Sequence, residues 1–243
     1  MSPPGTIFGP ITGSIYKNNN NNFLNKIIRQ YFFPIFFYIS IFFLRIRKSK
    51  YFFSTSLLKS KLKKENFAFL LDVQLLFYED KKNKHKKTYD LFIYNRKHSN
   101  KINLNFELIF SKKNFKKFKI IVLGEKINLP NIKNLNFIPH DKVKFYLKKS
   151  KYTLISSENI YSFFFFDSLT SGAVPLFSKK IEFEKKTIDI KKNNQLNFDN
   201  NQKFMKEILL IMNGKTKASR PKINKDYVKK LSRKFDFFIN NLF

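Results

Sequence analysis

The sequence predicts an α/β fold built on a doubly wound parallel sheet, and three observations carry that prediction. From Thr88 onward, short apolar segments alternate with segments of helical period. The apolar segments are continuous rather than alternating in polarity, the pattern of strands covered on both faces. Turn residues such as Gly124, Pro139 and Gly172 punctuate them.

In chain order, the first residues, MSPPGTIFGPITGSIY, lack a charged start followed by an apolar run, so no secretory signal is expected there. The asparagine-rich stretch Tyr16–Phe23 reads as a connector that cannot form a core. The run Tyr31–Leu44, YFFPIFFYISIFFL, is shorter than the roughly 20 residues a membrane span needs and contains Pro34. Arg29 before it and Arg45, Arg47 and Lys48 after it suit a helix lying at a membrane interface or buried against a domain. A short β-favouring run at Tyr51–Phe53 meets a helix-cap candidate, Ser54–Ser56, and Asn66–Tyr78 reads as a further buried segment. Glu79–Lys87, almost without apolar residues, is the expected linker. The expected domains are therefore residues 1–82, a partial N-terminal domain carrying the Phe-rich helix, and 83–243.

In the second domain YDLFIYN (89–95) is a strand, and FKIIVLGEK contains a strand ending at Gly124. LNFIPHDK is expected to hold a short strand turning at Pro139, followed by a helix over VKFYLKKSK with Asp141 as a cap. YTLISSEN is a strand, and SFFFFDSLTSG a helix closed by Gly172, with Phe163, Phe166, Leu169 and Thr170 near one face as core packing. AVPLF is a strand, and helices close the chain near 202–213 and 223–241. In such a fold the ligand binds where the carboxyl ends of the strands meet the helix N-termini.

Composition bounds the functional classes. Hydrophobic residues make up 43% and aromatics 18%, too much apolar surface for a disordered chain. The absence of cysteine removes disulfides and thiolate metal sites. The 32 phenylalanines, with many Lys, Asn and Ile, match an A+T-rich coding bias, which weakens arguments from single residues of those types. The charge, 48 Lys and Arg against 17 Asp and Glu for a net +31, attracts polyanions or acidic membrane surfaces.

The polar residues with chemical potential sit in loops expected on one sheet edge. Arg96 and Lys101, five residues apart after the first strand, can both reach a diphosphate, the arginine by a forked contact and the lysine as a point charge. A solvated basic loop is the plainer account of the same residues. A helix starting at Ser162 offers free backbone N–H groups to phosphate oxygens. Glu158 before it and Asp167 within it can accept hydrogen bonds from sugar or ribose hydroxyls, although a helical acid facing solvent is the simpler reading of Asp167. His98 is a lesser candidate, and His140 can line a base pocket.

The run SKYTLISSENIYSFFFFDSLTSGAVPL resembles the nucleotide-sugar signature of GT-B-fold glycosyltransferases, both the retaining "group 1" family and the exostosin-like family. The pattern is a strand, a small-residue loop with an acid, a helix with a second acid, then a small residue, Gly and a strand with Pro. Asp167, Ser168–Leu169, Ser171–Gly172 and Val174–Pro175 occupy it here. YDLFIYNRKHSNK, KIIVLGEK and LNFIPHDKVKFYLKKSKY are similar to the strands and helix that precede the signature. IFGPITGS, with Gly9, Pro10 and Gly13, resembles a loop near the end of the family's acceptor domain; members usually carry over a hundred residues before it, whereas six precede it here, so most of that domain is expected to be missing.

The resemblance implies a Rossmann-like donor domain that transfers a sugar from a nucleotide diphosphate donor, with retention and without a metal or other cofactor. Arg96 and Lys101 would stabilise the leaving diphosphate. Glu158, Ile160, Tyr161, Ser162, Asp167, Gly124 and His140 would form the donor site. The sequence departs from the pattern in two places: its acids are nine apart instead of eight, and NIYS replaces a Gly-rich loop, which reduces backbone freedom at Ile160 and Tyr161.

The implied partners are a nucleotide sugar, a glycan or lipid-linked acceptor and the surface of an anionic membrane, with a cytoplasmic location at the membrane's inner face. Two other readings stay open. A nucleic-acid-binding protein of ribosomal type would use the same Lys and Phe residues, though these are spread along the chain rather than gathered in one arm. A non-catalytic transferase remnant would bind donor without holding the acceptor in line.

Overall fold

A computed structural model of the chain describes residues 8–11, 27–46, 51–53, 68–70, 75, 85–95, 104–155, 162–181, 183 and 185–240. Contacts divide the chain into two units, Tyr78–Asn224 and Met1–Phe77 with Lys225–Phe243, so the closing helix groups with the N-terminal residues.

In the first unit, strands β1 (Phe8–Ile11), β2 (Tyr51–Phe53) and β3 (Ala68–Leu70) form a parallel sheet in the order β1-β2-β3. Gly9 and Pro10, expected in a loop, lie inside β1. Phe8 pairs with Tyr51 and Ile11 with Phe53, so β1 carries one extra residue as a bulge. A bulge tolerates the two residues least suited to a regular ladder, glycine and the donorless proline. Helix α1 (Phe33–Ile46) continues from a π turn, Ile28–Phe32, and Pro34, which has no N–H to donate, stands just after that wider turn. No helix among the described residues is long and apolar enough to cross a membrane.

The second unit is the doubly wound α/β domain that the sequence predicts. Its elements run β4 (Tyr89–Asn95), α2 (Phe106–Phe110), β5 (Ile120–Gly124), β6 (Ile132–Leu135), α3 (His140–Lys148), β7 (Ser150–Leu154), α4 (Phe163–Thr170), β8 (Val174–Ser178), β9 (Ile188–Asp189), β10 (Gln195–Leu196), α5 (Asn201–Met212) and β11 (Lys222–Ile223). Six of the strands form one sheet in the order β10-β8-β7-β4-β5-β6, every pair parallel, while β9 and β11 pair separately and antiparallel. Helix α6 (Lys225–Asn240) follows in the first unit.

Both faces of the sheet are covered, which is why its central strands read as continuous apolar runs. Leu91 and Ile93 of β4 face one core with Phe106, Phe110, Phe204 and Ile208 of α2 and α5. Phe92 between them faces a second core with Val143 and Leu147 of α3. Burial of each of these large side chains contributes about 1.5–3 kcal/mol.

The helix ends follow local chemistry. Asn105 accepts from Leu108 N–H at 2.9 Å and Asn200 from Gln202 N–H at 2.9 Å, capping α2 and α5. At the end of α4, Gly172 at φ 71 donates to Leu169 O and Ala173 to Ser168 O, each at 3.0 Å, a Schellman closure that needs the left-handed glycine.

Three expectations need correction. The strand before Pro139 is Ile132–Leu135, not the more apolar LNFI beside it. Asn134 accepts from Ile127 N–H and donates to Ile127 O at 2.9 and 3.0 Å, and Ile132 and Leu135 are buried, whereas Phe137 is 86% exposed. Pro139, not Asp141, stands at the N-cap of α3, leaving Asp141 in the first turn where its charge meets the positive helix end. On α4 the buried residues are Phe165, Phe166, Ser168 and Leu169, while Phe163 is 75% exposed. Phe163 lies one turn from Asp167 and so shares its outer side of the helix.

Candidate active site at the carboxyl edge of the sheet

The strand order reverses at the centre of the sheet: β4 pairs with β5 on one side and with β7 on the other. The carboxyl ends of β4 and β7 therefore border a switch-point crevice, the place where doubly wound sheets bind ligands. Arg96 and Lys101 follow β4, and Glu158, Ile160 and Tyr161 follow β7; all five, like His98 and Gly13, lie outside the described residues. Ile93 pairs with Leu154 two residues before β4 ends, so both segments leave the sheet at adjacent points.

Beside that crevice the ends of β4 and β5 are locked. Glu125 N–H donates to Asn95 O at 2.9 Å, and Asn95 Nδ2 returns a bond to Glu125 O at 2.9 Å. Gly124 permits the lock, because a Cβ there would lie 2.3 Å from Asn95 O and its φ is +97. A cavity of ≈ 480 Å³ opens next to it, lined by Glu107, Gly124, Glu125, Lys126, Asn128, Asn136 and Phe137. It has the size of a small-molecule site. Its aromatic and amide groups offer a stacking surface and hydrogen bonds of both senses.

Helix α4 begins where β7 leads out of the sheet. Ser162 caps it, its hydroxyl accepting from Phe165 N–H at 3.3 Å. The next helix neighbour, α3, starts at His140, and the two helices meet through a charge cluster. His140 Nε2 lies 2.6 Å from Asp167 Oδ2, and Lys144 Nζ lies 3.9 Å from Asp167 Oδ1. The Asp167 side chain is only 16% exposed, so it is a clasped carboxylate rather than a solvated helical acid. The structure thus joins two predicted site residues, His140 and Asp167. The sequence reading places Phe163 in the core and gives no role to Lys144 or Phe137; only Lys144 carries a signal, as the residue one helical turn after His140.

At the opposite edge, two cations close the helix ends. Lys87 Nζ donates to Lys148 O at 3.0 Å and to Ser171 O at 3.4 Å, and Arg220 Nη2 donates to Leu169 O at 2.6 Å. Burial, and secondarily the Arg220 charge, lower the Lys87 pKa from its ordinary value. Among the described residues, no group of three or more His, Asp or Glu side chains comes together as metal ligands.

No protein-family model matches the chain, and no curated protein matches it. Among solved structures, "T4 phage BGT in complex with UDP and Mn2+" is similar at 13% identity and a TM-score of 0.45, over 80% of this chain and 62% of that one. A DNA-modifying β-glucosyltransferase, solved in the presence and absence of its substrate uridine diphosphoglucose, is similar at 14% identity and a TM-score of 0.42, over 80% of this chain and 63% of that one. The chain thus spans less than two thirds of the length of either.

Proposed function

We propose that the chain is a glycosyltransferase of GT-B type, whose second unit binds a nucleotide diphosphate sugar at the carboxyl edge of the six-stranded sheet. The observation that carries this reading is the switch point between β4 and β7, because the two segments with diphosphate- and hydroxyl-binding chemistry follow those two strands.

In this reading Arg96 and Lys101 meet the diphosphate and stabilise the negative charge that grows on it as the sugar departs. The N-terminal turn of α4, capped by Ser162, adds its N–H groups and positive helix end. Asp167 and Glu158 accept hydrogen bonds from donor hydroxyls, with Asp167 oriented by His140. The nucleoside base enters the cavity beside Gly124, against Phe137. The acceptor in this reading is a glycan or a lipid-linked acceptor, and the anomeric configuration is retained.

Calorimetric titration of the full chain with UDP-, GDP- and ADP-sugars tests the donor site. Binding of one donor, weakened at least tenfold by Arg96→Ala, is expected; equal affinity in the variant overturns the assignment. The configuration of the transferred sugar, read by proton coupling in the product, tests retention.

A further inference from the structure

Helix α1 is built inside out. At 100° per residue, Ile35, Phe36, Tyr38, Ile39, Phe42, Phe43 and Ile46 fall on one arc of roughly 160°. All seven are exposed, from 45% for Ile39 to 71% for Tyr38. Ile41, on the opposite side, is 6% exposed. An ordinary surface helix turns its apolar stripe inward and its charges outward; this one buries an apolar residue and still presents an unbroken apolar face to the outside. Its four exposed rings alone amount to about 500 Å², as large as the largest apolar patch on a typical monomer, before the isoleucines are counted.

Within that face no side chain carries a charge. Ser40, beside it, has its hydroxyl satisfied internally, donating to Phe36 O at 2.7 Å. The hydroxyl of Tyr38, at the margin of the arc, is the one polar side-chain group among the seven. The basic residues lie at the ends in sequence: Lys26 and Arg29 before, Arg45, Arg47, Lys48 and Lys50 after.

We infer that α1 docks on an anionic phospholipid surface and lies within one leaflet. The helix is not long and apolar enough to cross the roughly 30 Å hydrocarbon core but can lie along one leaflet with its outer arc in the acyl region. The basic ends then reach the headgroups, where each cation near an anionic surface contributes about 1 kcal/mol. Charge selects lipid over a second copy of the chain, because self-association would bring +31 against +31. This inference does not rest on the proposed donor site.

Vesicle flotation of the full chain tests it, with phosphatidylcholine vesicles against phosphatidylcholine containing about one third phosphatidylglycerol. The chain is expected to float with the anionic vesicles at least tenfold more than with the neutral ones, and to detach when Phe36→Glu and Phe42→Glu are combined. Tyr38→Phe, which keeps the face apolar, retains binding. Absence of anionic-vesicle binding, or equal binding by the double variant, overturns the inference. A dimer that the double variant dissolves, without vesicle binding, assigns the face to a second copy instead. Nucleotide-sugar binding stays unchanged in the double variant, so failure here is separable from failure at the donor site.

Discussion

His140 Nε2 sits 2.6 Å from Asp167 Oδ2, joining the first turn of α3 to the second turn of α4. The imidazole is 58% exposed, so the pair contributes at most about 1 kcal/mol to folding, and its value is orientation. His140→Ala should leave stability within about 1 kcal/mol while weakening nucleotide-sugar affinity severalfold. Asp167→Ala, which removes the acceptor itself, should weaken it about tenfold or more. Chemical denaturation and calorimetric titration of both variants check this; unaltered affinity in Asp167→Ala removes the carboxylate from the donor site.

Gly124 and Gly214 both have positive φ but differ in what surrounds them. A Cβ at Gly124 would meet Asn95 O at 2.3 Å, whereas nothing lies within 4 Å of one at Gly214. Gly124→Ala should cost about 3 kcal/mol or more, since strain and a backbone clash add, and Gly214→Ala about 1–2 kcal/mol. Equal costs in urea denaturation would contradict the lock between β4 and β5.

Within the four consecutive phenylalanines, Phe165 is fully buried and contacts Phe166 and Phe177 edge-on at 4.9 and 5.5 Å between ring centroids, while Phe163 is exposed. Phe165→Ala should destabilise by about 3–5 kcal/mol and Phe163→Ala by no more than about 0.5 kcal/mol. Thermal and chemical denaturation distinguish them; a large cost at Phe163 contradicts the observed face.

Lys87 supplies a pH dependence. Its folded pKa is lowered, so between that value and the ordinary 10.5 the folded chain binds fewer protons than the unfolded chain. Stability from this group therefore rises with pH across that window and is held back below it. The difference in unfolding free energy between the native chain and Lys87→Gln should shift toward the native chain as the pH rises toward the ordinary lysine value of 10.5. A flat difference contradicts the burial of Lys87 against the ends of α3 and α4.

Much of the second unit was legible from sequence because its determinants are local. Continuous apolar runs marked β4, β5, β7 and β8, and Ser162 and Gly172 marked the two ends of α4. The misplaced strand shows where local reading stops: LNFI is more apolar than IKNL, but the side chain of Asn134 ties the latter to Ile127 and puts it in the sheet. Four identical residues in a row likewise carry no information about which one faces the core. The clasp on Asp167 was hidden for the same reason, since His140 lies 27 residues away and only the packing of α3 beside α4 brings them together. Arg96, Lys101, Glu158, Ile160 and Tyr161 remain sequence assignments, placed by the strands they follow.

The central claim is that the switch-point edge binds a nucleotide diphosphate sugar through the segments after β4 and β7. Calorimetric titration of the native chain, Arg96→Ala and Glu158→Gln with a panel of UDP-, GDP- and ADP-sugars, repeated with a DNA duplex at low and physiological salt, tests it most directly. The account predicts saturable binding of one nucleotide sugar, weakened at least tenfold by Arg96→Ala and less by Glu158→Gln. No nucleotide-sugar binding, together with duplex binding that falls steeply with salt, would contradict it and identify a nucleic-acid-binding protein.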